Sequence, residues 1–138
     1  MGMMESYRGV VHPWLCDGMG HFTTRHYTAM FDDASYHLAY ACGVDLSSEN
    51  RESGFVDVKL EMNFLSELRS GALVIVHSGI LKLGRTSFTA RHEMRNIKDM
   101  SLAATLDSVS VFFDLKARKA MPIDDTFRTK AAALMVEG

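Results

Sequence analysis

The sequence predicts an α+β domain in which an antiparallel sheet curls around one long helix. Apolar residues recur at steps of three and four over 24–42, which is typical of a helix with one buried face. Apolar and polar residues alternate over 55–64 and 87–95, and the later strands are separated by short turns that require antiparallel pairing. Because the helix has a single apolar stripe, we expect that stripe to be buried on the concave sheet face.

The size and composition of the chain predict a single domain over residues 1–138. It has 47% hydrophobic and 23% charged residues, enough to bury a core without metal ions or disulfides. A net charge of −2 at pH 7 gives no basic surface for nucleic acid or an anionic membrane, and no apolar run is long enough to span a bilayer. Cys16 and Cys42 form no disulfide framework, so we expect reduced thiols in a cytoplasmic protein without a signal peptide.

The N-terminal part is predicted to form a short strand and then the long helix. Residues 8–16 read as the strand, and Pro13 indicates a sheet edge or a bend because proline lacks a backbone N–H. Thr23 or Thr24 can cap the helix, and Gly43 can end it. The apolar stripe of the helix consists of Tyr27, Met30, Phe31, Ala34, Leu38 and Ala41.

The rest of the chain is predicted to form a loop, a meander of strands and a short C-terminal helix. In the first meander strand, the even positions from Val56 to Phe64 are expected to face one way and the odd positions from Asp57 to Asn63 to face solvent. Free edges of the sheet would allow two chains to pair into a dimer with a continuous sheet. The loop is expected at 44–54, the strands at 55–64, 72–83, 87–95 and 101–113, and the helix at about 124–135.

The stretch that follows the first strand carries the candidate chemistry. Asp17 lies about six residues before the helix, too far for a simple N-cap. Gly18 and Gly20 allow a sharp turn and the close approach of a ligand. Free N–H groups at the start of a helix can polarise a carbonyl, so a carboxylate beside them suits attack on a carbonyl carbon. A purely structural turn is the alternative interpretation of this D-G-x-G segment.

The spacing D-x-x-G-H-F-x-x-x-x-Y over residues 17–27 resembles the signature of hotdog-fold acyl-CoA thioesterases of the 4-hydroxybenzoyl-CoA thioesterase-like superfamily. The similarity continues through the helix, through R-H-E-M at 91–94 and through D-L-K-A-R-K-A-M-P at 114–122. In its details it is similar to the branch associated with carnitine and betaine metabolism. The resemblance implies a five- to six-stranded antiparallel sheet wrapped around the central helix. It also implies hydrolysis of an acyl-CoA to free acid and CoA, without a metal or other cofactor, by a homodimer or homotetramer.

The resemblance also implies roles for individual residues. Asp17 aligns with the catalytic aspartate, which acts as nucleophile or as general base for water. Gly20 and His21 match the turn into the helix, where His21 is expected to be supportive. Backbone N–H groups near Thr24 match the donors that hold the oxyanion. Tyr27 matches a recurrent tyrosine whose role is positional.

Other polar residues have simpler interpretations beside functional ones. Arg85 and Ser87, in a turn, are candidates for binding CoA, although a solvated turn is the simpler interpretation. Cys16 is expected to point away from Asp17 and to fill the core rather than act as a nucleophile. His92 is expected to be a sheet residue with satisfied ring nitrogens, and no His or Cys spacing predicts a metal site.

Two other functions remain open from the sequence. One is a hotdog enoyl-CoA hydratase, which would need His21 beside Asp17 and facing the pocket. The other is a non-catalytic protein that binds an acyl thioester without releasing CoA. An aromatic box for a quaternary ammonium group is a further hypothesis, with Trp14 joined by Tyr27, Tyr36 or Tyr40.

Overall fold

A six-stranded antiparallel sheet wraps around one long helix in the computed structural model, which describes residues 2–49 and 51–136. The elements are β1 (Met4–Val10), α1 (Thr24–Ala41), β2 (Ser53–Phe64), β3 (Leu73–Leu83), β4 (Ser87–Asn96), β5 (Leu102–Asp114), β6 (Lys119–Ala120) and α2 (Asp125–Ala132). The strand order is β1-β3-β4-β5-β2, and the short β6 pairs with β5. This arrangement confirms the predicted α+β class. The predicted meander is wrong for β2, which pairs with β5 instead of β3, so only β3, β4 and β5 are neighbours in chain order.

The long helix begins at the predicted residue, ends one residue before the predicted end, and buries most of the predicted stripe. Thr23 is the N-cap, but its hydroxyl donates to Leu15 O rather than capping the helix. Gly43 follows the helix with a φ of +91°, the left-handed conformation that glycine adopts most readily. Ala41 is exposed, and Ala39 is buried in its place. The helix packs against β1 and β3. Cavities lined by residues of both α1 and β2 form a groove between these two elements.

The first strand differs from its predicted bounds of 8–16. It ends at Val10, and Pro13–Leu15 form a 3₁₀ turn. Proline suits the first position of such a turn because its φ is already fixed and its missing N–H has no partner to lose. Cys16 then pairs with Phe22 in a small hairpin and packs against the core, as a filler residue would.

Strand β2 departs from strict alternation at a bulge between Asp57 and Lys59. One extra residue in a strand moves the following side chains to the other face. Before the bulge the odd positions face inward: Phe55 packs on Phe88, and Asp57 lies on the same face, where it accepts a hydrogen bond from Ser110. After the bulge the even positions, such as Met62, take over this face. The predicted inward orientation of Val56 and Val58 is wrong, since both are exposed.

The C-terminal helix closes the end of the sheet opposite Asp17. The carboxylate of Asp124 caps α2 by accepting from the N–H of Phe127 at 2.7 Å. Phe127 packs against the rings of Phe88 and Phe112, with centroids 4.9 Å away in each case. In the described part of the chain, no helix combines the length and apolarity needed to cross a membrane.

Candidate functional site

Asp17 lies in a tight hairpin directly before α1. Its own N–H donates to His21 O at 2.9 Å, and its Oδ1 accepts from the N–H groups of Met19 at 2.8 Å and His21 at 3.1 Å. These backbone donors, that of His21 first, lower the pKa of Asp17 below its ordinary value. The carboxylate is exposed and therefore ionised at neutral pH, as a nucleophile or general base must be.

The hairpin depends on Gly20. This residue has a φ of +81°, and a Cβ there would meet the Arg69 guanidinium only at 3.8 Å. The requirement for glycine is thus conformational rather than steric. Gly18 has neither a positive φ nor a neighbouring atom within 4 Å of an added Cβ.

The start of α1 offers free donors next to this hairpin. The N–H groups of His26 and Tyr27 donate to Thr23 O, at 3.0 and 3.2 Å. Over residues 2–49 and 51–136, the N–H groups of Thr24 and Arg25 find no acceptor. An open cleft of about 290 Å³ lies at this end of the helix. It is lined among others by His21, Thr24 and Tyr27, whereas Asp17 is not among its lining residues.

A carboxylate that the sequence analysis did not single out lines the same cleft. Glu67 Oε2 lies 3.3 Å from Nε2 of His21 and 3.5 Å from the Arg69 guanidinium. An antiparallel β-bridge between the backbones of His21 and Arg69 brings the segment after β2 beside the hairpin. No local sequence pattern predicts the pairing of His21 with Glu67, because the two residues are distant in sequence.

Tyr27 has the position expected of a structural tyrosine. It is 4% exposed, and its ring contacts those of Phe22 and Phe64, with centroids at 4.5 and 5.1 Å. Burial, followed by the charge of Glu67, raises the pKa of Tyr27, so the phenol stays protonated. The aromatic box with Trp14 does not form around this ring, because Trp14 instead stacks on His12.

Arg85 and Ser87 are not brought near Asp17 within one protomer. They lie at the turn between β3 and β4, whereas the Asp17 hairpin follows the opposite end of β3, where Val11 N–H donates to Ala72 O. Ten residue steps of strand separate the two ends by about 33 Å. Arg85 is exposed, and its carbonyl accepts from the Ile123 N–H. Their predicted role in binding CoA remains a prediction.

A second cavity, of about 140 Å³, lies under the C-terminal half of α1. Asp32 and Asp57 line it together with His92, whose side chain is fully buried. His92 Nδ1 lies 2.5 Å from the Ser78 hydroxyl, but its Nε2 has no partner in the described structure. The expectation that both ring nitrogens are satisfied is therefore wrong for Nε2. Burial lowers the pKa of His92 to about 4, which keeps the imidazole neutral.

Groups of three or more His, Cys, Asp or Glu side chains placed to hold a metal ion are absent from residues 2–49 and 51–136.

Comparison with known proteins gives one family and many related structures. A family model described as the thioesterase-like superfamily matches residues 11–131. A Staphylococcus aureus protein solved in complex with CoA is similar with a TM-score of 0.86 and 20% identity, over 97% of this chain and 85% of that one. A 1,4-dihydroxy-2-naphthoyl-CoA thioesterase from Synechocystis is similar with a TM-score of 0.83 and 18% identity, over 95% and 96% of the two chains. Among curated proteins, no sequence matches the chain significantly.

These similarities confirm two predictions made from the residues. The sheet wrapped around α1 is the hotdog fold, and the resemblance seen around Asp17 is to the family that the comparison finds. The narrower resemblance to the carnitine and betaine branch remains a prediction.

Proposed function

Because the chain belongs to the thioesterase-like superfamily, we propose that it is an acyl-CoA thioesterase that hydrolyses a thioester to a free acid and CoA. One observation carries the site assignment. The ionised carboxylate of Asp17 is held by backbone N–H groups in a hairpin that leads directly into a helix with free N–H groups. A base or nucleophile next to preorganised donors is the arrangement that acyl transfer requires.

The proposed reaction uses these two features in sequence. The thioester oxygen is bound by the N–H groups of Thr24 and Arg25, and the helix dipole stabilises the negative charge that develops there. Asp17 either takes a proton from water, whose oxygen then bonds to the carbonyl carbon, or attacks that carbon itself to form an anhydride that water hydrolyses. In both routes the C–S bond breaks, and the CoA thiolate leaves and takes up a proton. His21 and Tyr27 shape the cleft.

The geometry of His21 favours hydrolysis over the hydratase alternative. Only its backbone forms hydrogen bonds with Asp17, through both the N–H and the carbonyl, and its side chain pairs with Glu67. A hydratase in which Asp17 and His21 share one water would need the imidazole on the Asp17 side. CoA enters this proposal as part of the substrate, and no other cofactor is invoked. The free thiols Cys16 and Cys42 are consistent with the predicted cytoplasmic location.

The edge of the sheet supports a proposal of self-association. β2 is an edge strand, and it exposes apolar side chains, among them Val56 at 42% and Val58 at 60%. Pairing of β2 with a second copy would cover them and continue the sheet. A second protomer could also bring its own β3–β4 turn, with Arg85 and Ser87, toward the CoA. Replacing Val58→Glu should halve the mass measured by light scattering, and an unchanged mass would exclude this edge.

Thiol release from a panel of acyl-CoA thioesters tests the proposed function. The thioesterase account predicts free CoA with at least one acyl-CoA. A crotonyl-type thioester separates the alternatives, because a hydratase consumes its double bond without releasing thiol. Binding by calorimetry with no change to any thioester would instead identify a non-catalytic binding protein.

A further inference from the structure

Three cavities lie in a row along the groove between α1 and β2. Thr24 lines the cleft at the helix start, Thr28 lines a small middle cavity, and Asp32 lines the last two. Residues four apart share one face of a helix, so these three side chains form a polar line along the groove. Eight residues of helix place Asp32 about 12 Å from Thr24. If the thioester carbonyl is held at the helix start, its acyl group can therefore extend along the groove to the last cavity, the one of about 140 Å³ that is lined by His92.

The buried hydrogen-bond chain beneath this cavity determines which nitrogen of His92 carries the proton. The Val76 carbonyl can only accept, so the Ser6 hydroxyl donates to it, at 3.1 Å. Ser78 must then donate to Ser6 across 2.6 Å, since each hydroxyl has one proton. Nδ1 of His92 is left to donate to Ser78. Nε2 is therefore an unprotonated acceptor.

The orphaned Nε2 is itself buried, and it is directed to the side of the ring on which the cavity lies. Nδ1 points at Ser78 on β3, and the two nitrogens of an imidazole point in diverging directions. Nε2 is thus directed away from β3, toward the side where β5, β2 and α1 enclose the cavity. A buried acceptor without a partner is costly, so this position calls for an N–H or O–H donor.

Two carboxylates also line the cavity, both from residues that are exposed to solvent, and one of them, Asp57, accepts a hydrogen bond from Ser110. From α1 the carboxylate of Asp32 lines it, and from β2 that of Asp57, while the lining residues of the described chain include no lysine or arginine. Burial, followed by repulsion from Asp57 and Asp33, raises the pKa of Asp32, which a bound cation would reverse. Aromatic and aliphatic side chains form the remaining walls, among them Phe55, Phe88 and Leu38.

We propose that this cavity receives the far end of the acyl group and selects a protonated amine there, an inference that rests on the proposed thioesterase function. One N–H of the ammonium donates to Nε2 of His92, and its charge is balanced by Asp32 and Asp57. A hydroxyl would satisfy Nε2 but leave the carboxylates without a cation. A quaternary ammonium would supply the charge but no N–H for Nε2.

The test compares acyl-CoA thioesters of equal length, about 12 Å from carbonyl to tip. Their ends are ammonium, hydroxyl, methyl or trimethylammonium. The expected result is a kcat/KM for the ammonium end at least about tenfold above the methyl end, with the hydroxyl between them. Equal values for the ammonium and methyl ends would mean that the cavity holds water only. A hydroxyl end that is preferred, or a trimethylammonium end as good as ammonium, would also overturn the proposal.

A matched pair of variants assigns the preference to this cavity. Asp32→Asn with Asp57→Asn keeps the shape of both side chains but removes both charges, so the preference for ammonium over methyl should disappear. Asp33→Asn, the control, removes the same charge from the neighbouring helix position, which does not line the cavity, and should keep the preference. Retention of the preference in the double variant would contradict the assignment.

Calorimetric binding to Asp17→Asn separates this inference from the proposed function. If this variant binds the ammonium-ended thioester more tightly than the methyl-ended one, the cavity selects amines even if the wild type cleaves neither. If the wild type cleaves thioesters without such a difference in binding or rate, the thioesterase assignment holds and the amine selectivity is refuted.

Discussion

The imidazole of His21 pairs with Glu67, whose Oε2 lies 3.3 Å from Nε2, while only the backbone of His21 forms hydrogen bonds with Asp17. The two carboxylates at the helix start therefore have different environments. Asp17 is bound by backbone donors, and Glu67 by side chains of the hairpin and of its own segment. This difference gives Asp17 the chemical role in our account and gives Glu67 a positioning role.

Removing the charge of Glu67 should have a modest effect on hydrolysis. Glu67→Gln keeps a polar partner for His21, so we expect kcat/KM to fall by less than about tenfold, against the 10²–10⁴-fold that a general base typically contributes. Steady-state thiol release measures both parameters. Arg69→Gln is the control for the remaining contact of Glu67. A loss for Glu67→Gln as large as that for Asp17→Asn would make Glu67 the catalytic carboxylate.

The two glycines of the hairpin should respond differently to alanine. Gly20→Ala forces a side chain into the left-handed region at a φ of +81°, at a cost of about 1–2 kcal/mol, and should displace Asp17. Gly18→Ala, the matched control, meets no strain and no neighbour, so it should leave stability and kcat unchanged. Thermal unfolding and thiol release test both variants. Equal behaviour of the two would show that this hairpin geometry is not needed.

The activity should persist into mildly acidic solution. The N–H groups of His21 and Met19 hold the pKa of Asp17 below the ordinary value of about 3.9, so the catalytic anion is present throughout the range above it. We expect the acid limb of kcat/KM that belongs to Asp17 to lie below about pH 4. The pH–rate profile of Glu67→Gln, which removes the neighbouring carboxyl, should show the same limb. An acid limb near pH 6 in both proteins would contradict an aspartate with these donors.

Buried His92 should make the fold less stable in acid. Its pKa is lowered to about 4 in the folded chain, against about 6.5 when unfolded. The unfolded state therefore binds a proton first, and stability that is complete above pH 6.5 is lost as the pH falls toward 4. The free energy of unfolding should fall by on the order of 3 kcal/mol, because each pKa unit between the folded and unfolded states corresponds to about 1.4 kcal/mol. Urea unfolding at several pH values should give a flatter dependence for His92→Gln, and an unchanged slope would contradict the assignment.

The long helix and the positions of the strands along the chain could be predicted because they depend on local periodicity. The place of β2 in the sheet could not, because its partner is β5, far away in sequence, rather than β3, which follows it. The stripe from Tyr27 to Leu38 fixes the buried face of α1, and Gly43 ends it by a purely local conformational preference. The bulge at Asp57 could not be predicted, because a shift in register is determined by pairing with β5 rather than by β2 alone. The sequence therefore predicted Asp57 on the solvent face, although the structure places it at a cavity.

The residues of the candidate site also fall into a group that local sequence predicts and a group that depends on sheet pairing. Asp17, Gly20 and His21 are close in sequence, so their spacing alone indicated a site. Glu67 and His92 reach their places through β-sheet pairing across long stretches of chain, and no local pattern marks either residue. The unpaired Nε2 of His92 became evident only when the partners of its other nitrogen were known.

The kcat of Asp17→Asn on the best acyl-CoA substrate tests the central claim most directly. Asparagine preserves the size of the side chain and can still accept from the N–H groups of Met19 and His21, so the hairpin should remain. With unfolding temperature and substrate binding unchanged, our account predicts a fall in kcat of at least about 10²-fold. Full activity in this variant would show that the carboxylate of Asp17 does not carry out the reaction.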